Sequence, residues 1–150
     1  MGDVFLATGG IIGGLVFIVL PTTSLPSYPM LHMVSLHSFL FHGTMIYLGV
    51  LINITNYIKL QLSDIKYFAT LVGCICILAY IINKKFGSNL MFISQNFPGM
   101  PIEIIYNMTG RYFTLVMSLG QMVLPFYIIY GVLKQKEKTN ETRLALEIKS

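Results

Sequence analysis

The chain has 150 residues, of which 55% are hydrophobic and 11% charged, and its formal net charge is +4; its mean hydropathy is +0.71. Ordinary soluble domains carry roughly 25% charged residues, so there is too little charge here to cover a water-facing globule, and the length suits a single domain. The positive excess does not point to nucleic acid, because half of the ten Lys and Arg fall after Leu133 and the rest sit singly or paired between apolar runs, as in the loops of membrane proteins.

The first apolar segment, residues 4–20, ends at Pro21, with Pro26 and Pro29 behind it. At about 1.5 Å per residue it makes roughly 25 Å of helix, near the lower limit for a span. Asp3 precedes it without a positive charge, and no small-x-small site follows, so it reads as a retained span and not a signal peptide. Gly9 with Gly13 and Gly10 with Gly14 form two overlapping GxxxG pairs. Bare glycine lets another membrane helix approach closely, which marks these four as helix-packing residues.

The second segment, residues 30–54, holds all three histidines and leads into a polar connector at 55–64. The third, residues 67–82, contains Cys74 and Cys76. On a helix these two point about 200° apart and cannot pair; they read as small packing residues. Residues 83–111 follow, too apolar for a solvated loop and broken by Pro98, Gly99 and Pro101. The expectation is a short interfacial helix before the break and another over 102–108, or a re-entrant loop covered by protein. The fourth segment, residues 112–133, is interrupted by Gln121 and Pro125, and a tail of mixed charge, residues 134–150, extends it into water.

The expected fold class is therefore all-α: a polytopic membrane helical bundle with about four transmembrane helices. A short interfacial or re-entrant element lies between helices three and four. The membrane domain is expected over 1–133 and a cytoplasmic tail over 134–150. With four spans, Lys59, Lys66, Lys134, Lys136, Lys138, Arg143 and Lys149 share one side, against Lys84, Lys85 and Arg111 on the other. Both termini are thus expected in the cytoplasm of a cell-membrane protein.

Helical geometry also sorts the histidines. His32, His37 and His42 are spaced five apart, so each steps about 140° around the helix from the last, and one metal cannot take two of them. No metal site or other cofactor is expected. His42 has Ser38 one turn below it, Ser35 two turns below, and Gly49 and Asn53 above on nearly the same face. Such a polar seam must face protein or a hydrated cavity, since lipid cannot satisfy it. Two readings stay open for His42: a hydrogen-bonded packing residue, or a general base. Gln121 on the fourth span is a second intramembrane polar group and a candidate partner.

The stretches "GGIIGGLVFIVLP", "LHSFLFHG", "FGSNLMF" and "LGQMVLPFYIIYGVL" resemble, in order, the later part of the YwaF-like family of bacterial membrane proteins, which is similar to the eukaryotic transmembrane protein 164 group. In that family the histidine closing the "SF-x-x-HG" pattern matches His42, and the asparagine of "N-x-M-F" matches Asn89. The eukaryotic relatives are implicated in lipid acyl transfer through a cysteine on an earlier membrane segment. The resemblance thus implies that the chain corresponds to a C-terminal portion, in which Cys74 and Cys76 do not inherit that role. Two functional expectations follow. One is a helix-packing or small-ligand or lipid-binding membrane protein. The other is part of a lipid acyltransferase-like enzyme with His42 as base and its nucleophile on a missing N-terminal segment. The expected partners are the lipid bilayer, a second copy of the chain or missing N-terminal helices, and not nucleic acid.

Overall fold

The computed structural model describes residues 1–20 and 28–149, without the Lys149 side chain. Among these residues the structure is helical, with no strand. Four helices are long and apolar enough to cross a membrane. Pro21, expected to end the first span, and Pro26 behind it lie outside the described residues. The chain forms two units, Met1–Asp64 with Pro125–Ser150, and Ile65–Leu124.

In the first unit, α1 (Gly2–Val19) is one continuous helix whose second turn, Leu6–Gly10, is a π turn. Helix α2 (Met33–Ile54) starts three residues later than the hydropathy suggests, because His32 caps it: its Nδ1 accepts the Val34 N–H at 3.2 Å. It ends in a Schellman turn. Asn56 is left-handed (φ 52°), and the Tyr57 N–H donates to Ile52 O at 3.1 Å. Helices α1 and α2 run antiparallel in contact, with Gly14 set against His42 and Ile46, and Gly49 against Leu6 and Ile11.

In the second unit, α3 (Ile65–Phe86) runs several residues beyond the expected 67–82. Its buried residues, Phe68, Val72, Cys76, Ala79 and Asn83, fall at intervals of three and four and make one stripe. Cys74 is exposed while Cys76 is buried, on opposite faces as their spacing requires. Gly87 (φ 66°) stops the helix, its N–H returning to Asn83 O at 2.9 Å. A single 3₁₀ turn, Leu90–Phe92, replaces the helix expected before the proline break. After the break comes α4 (Pro101–Thr109), with proline at its first position, where a missing N–H costs nothing.

The last helix, α5 (Phe113–Lys149), is continuous through Pro125. An intramembrane helix tolerates proline where neighbouring groups re-satisfy the freed backbone. At 1.5 Å per residue its 37 residues reach about 55 Å, well beyond the roughly 30 Å hydrocarbon core. The charged tail is therefore helical, and Lys134 pairs with Glu137 at 2.8 Å along it.

Candidate functional site

The polar seam of α2 is brought against α1 by two glycines. A Cβ on Gly14 would stand 2.8 Å from His42 O and 2.6 Å from Ile46 Cγ1, closer than any side chain allows. Glycine there lets the α1 backbone reach the turn of α2 that carries His42. One turn further along α1, Phe17 then lies flat on the imidazole, ring centroids 3.8 Å apart and planes 6° off parallel. Phe41 closes the ring from the side, edge-on at 5.3 Å. Phe39 packs edge-on against Phe17 at 5.4 Å.

His42 Nδ1 lies 2.7 Å from Ser38 O. A carbonyl only accepts, so Nδ1 carries the hydrogen and donates. In the neutral ring the lone pair is then on Nε2. Ser38 thus serves the ring with its backbone and not its hydroxyl. With its plane set by Phe17 and its tautomer by Ser38, the half-buried His42 presents one oriented acceptor inside an apolar helix pair.

The other members of the seam do different work. Ser35 is fully buried and its Oγ donates to Tyr28 O at 3.4 Å, tying the start of α2 to the connector. Asn53 Nδ2 donates to Ala7 O at 2.8 Å and to its own Gly49 O at 2.9 Å, cross-linking α2 to the π turn of α1. Gly9, Gly10 and Gly14 are buried, whereas Gly13 is exposed, with no atom within 4 Å of an added Cβ. His32 stacks on Tyr28 at 4.6 Å. His37 is exposed, its ring 6.4 Å from Phe41, and it makes no hydrogen bond among the described residues. The three histidines share no site.

The TMEM164 family model matches residues 4–131. The chain belongs to the TMEM164 family. No curated protein and no solved structure matches it. The match takes in the glycine-rich helix, the histidine seam and the α3–α5 connection.

The second cluster surrounds residues 83–103 and was less visible in the sequence. Asn89 lies in it: its Oδ1 accepts from Ser94 N (2.9 Å) and Gln95 N (3.1 Å), and its Nδ2 donates to Gln95 O (3.1 Å). Gln121 Nε2 donates to Met91 O at 2.6 Å, so Gln121 belongs with this loop. The residue that sequence reasoning missed is Asn83, 4% exposed. Its Nδ2 donates to Leu90 O (3.0 Å) and Ser94 Oγ (2.8 Å), and its Oδ1 accepts from Leu90 N (2.7 Å) and Ser88 Oγ (2.9 Å). Its one sequence signal was a polar residue directly after an apolar run, which reads as loop. Glu103 was also missed. Its carboxylate accepts from the Gly99 N–H at 2.7 Å, tying the first turn of α4 to the residue before its N-cap, Met100.

Proposed function

We propose that this TMEM164-family membrane protein binds a lipid or lipid-soluble molecule through a hydroxyl, amine or thiol that donates to His42 Nε2. The observation that carries this reading is the hydrogen bond from Nδ1 to Ser38 O, which leaves Nε2 as the ring's acceptor. His42 lies nine residues into α2, about 14 Å along the helix and so near mid-membrane. A hydrogen-bond donor that reaches that depth through the lipid needs an apolar carrier. The membrane concerned is the cell membrane, with both termini on its cytoplasmic side.

The test is photocrosslinking of a clickable diazirine monoacylglycerol to the purified protein in detergent. His42→Phe keeps a ring on Phe17 and removes the acceptor. It should preserve thermal stability yet lower affinity about 3- to 10-fold, the worth of one hydrogen bond. Equal labelling of parent and variant across residues 35–49 would refute the binding role.

A second reading is favoured by the same tautomer: His42 Nε2 as general base in lipid acyl transfer. Nε2 would take the proton of a thiol or hydroxyl as its sulfur or oxygen attacks a lipid ester carbonyl, and the resulting imidazolium would return it to the leaving alcohol. This reading requires turnover of a lipid ester by the protein together with the N-terminal segment expected to carry the nucleophile, and its loss in His42→Phe. Binding that depends on His42 without turnover supports the first reading against the second.

A further inference from the structure

We propose that residues 87–100 form a re-entrant element that dips below the lipid headgroups and is pinned at that depth by Asn83 and Gln121. Three cations place the membrane surface in this unit. Lys84 lies over Tyr80 at 5.7 Å, Lys85 over Phe86 at 5.5 Å, and Arg111 over Tyr112 at 4.8 Å. Basic groups paired with aromatic rings at the ends of apolar spans sit at the interface.

From that level the chain turns inward. Asn83 lies on the span side of Lys84, and its carboxamide holds both the N–H and the C=O of Leu90. Gln121 lies ten residues past Arg111, about 15 Å along the chain's helical path, and it donates to Met91 O. The loop is therefore tied at Leu90 to the end of α3 and at Met91 to the body of the fourth span, inside the level of Arg111. Met91 and Phe92 both have left-handed backbones (φ 60° and 53°), which reverses the chain at this point.

The loop's hydrogen bonding has the same meaning. An interfacial loop leaves its backbone groups to water, whereas one in hydrocarbon must have them satisfied by protein. Here side chains do so repeatedly. Asn83 serves Leu90, Asn89 serves Ser94 and Gln95, Gln95 Nε2 serves Gly87 O at 2.9 Å, and Gln121 serves Met91. Ile93 is fully buried, and the Phe92 and Phe97 rings pack at 5.2 Å.

The chain contains no tryptophan, so a single introduced one reports its own depth. Phe92→Trp and Phe97→Trp, each in the full chain reconstituted in phosphatidylcholine vesicles, are read by quenching with lipids brominated along the acyl chain and with aqueous iodide. Gln135→Trp in the tail gives the aqueous reference. The proposal expects blue-shifted emission from the loop reporters, strong quenching by the brominated chains and little by iodide, the reverse of the tail reporter. Adding Gln121→Leu to either loop reporter should shift its emission to the red and raise iodide quenching, with helical content by circular dichroism unchanged. Either loop reporter suffices should the other not fold. Loop reporters quenched by iodide like the tail reporter would overturn the re-entrant placement. Depth unaffected by Gln121→Leu would overturn the pin. Neither result bears on His42, whose test is separate.

Discussion

At the scale of single residues, two asparagines behave differently because their surroundings differ. Asn53 makes two bonds to backbone carbonyls that helices α1 and α2 already present. Asn83 uses both ends of its amide to organise a segment with no regular structure of its own. Replacing Asn53 by Leu removes an interhelical hydrogen bond, worth about 0.6 kcal/mol and at most about 1.7 in membrane proteins. Replacing Asn83 by Leu strands a buried N–H and C=O, at about 1–3 kcal/mol for a donor left unmade. Thermal unfolding in detergent should therefore show a clearly larger loss for Asn83→Leu than for Asn53→Leu. Equal losses would mean that the loop does not depend on Asn83. Little of this was legible in the sequence. Asn53 stood on a visible seam with His42, whereas Asn83 gained its partners only through a chain reversal at Met91 that no residue pattern announces.

At the scale of elements, the α1–α2 contact shows how far periodicity reaches. The overlapping GxxxG pairs marked α1 as a packing helix, and its partner helix carries a matching glycine. Which glycine does the packing was hidden by the π turn. Ala7–Ile11 are all buried, five successive residues that no single face of a regular helix would cover. The widened turn sets Gly49 against Leu6 O and leaves Gly13 outward. Gly49→Ala should thus cost about 1–3 kcal/mol through overpacking against backbone. Gly13→Ala meets nothing and should be neutral or stabilise by about 0.5–1 kcal/mol. Helix-pair stability in a reconstituted thermal melt separates the two, and a tolerated Gly49→Ala would show that the helices do not approach this closely. The tail offers a contrast. The Lys134 ammonium holds the Glu137 carboxyl below its ordinary range, chiefly by a direct hydrogen bond, and is itself held above its own range by Glu137. The pair breaks as pH falls through the lowered Glu137 value or rises through the raised Lys134 value. Both groups are fully exposed, where ion pairs contribute little, so Glu137→Gln should leave the melting temperature unchanged.

At the scale of the whole molecule, the arrangement of charge is a statement about which way the chain crosses the membrane. Four apolar helices were legible because each needs an uninterrupted apolar stretch, and hydropathy measures that directly. Their true ends were not, because capping by His32 and Gly87 and the continuation of α5 past Leu133 depend on local hydrogen bonds and not on hydropathy. Four crossings would put the N-terminus, the 55–66 connector and the tail on one side with seven of the ten cations, and Lys84, Lys85 and Arg111 on the other. Cytoplasmic loops hold the excess of Lys and Arg, so the tail should be cytoplasmic and α4 should face the opposite compartment. Asn107 is exposed on α4 and Asn140 exposed on the tail, which makes them suitable reporters. In a background carrying Cys74→Ala and Cys76→Ala, Asn107→Cys should react with an impermeant maleimide added to intact cells. Asn140→Cys should react only after the membrane is permeabilised. Labelling of both from the same side would mean that α5 does not cross between them, and labelling in the reverse order would mean that the charge count has misplaced the termini.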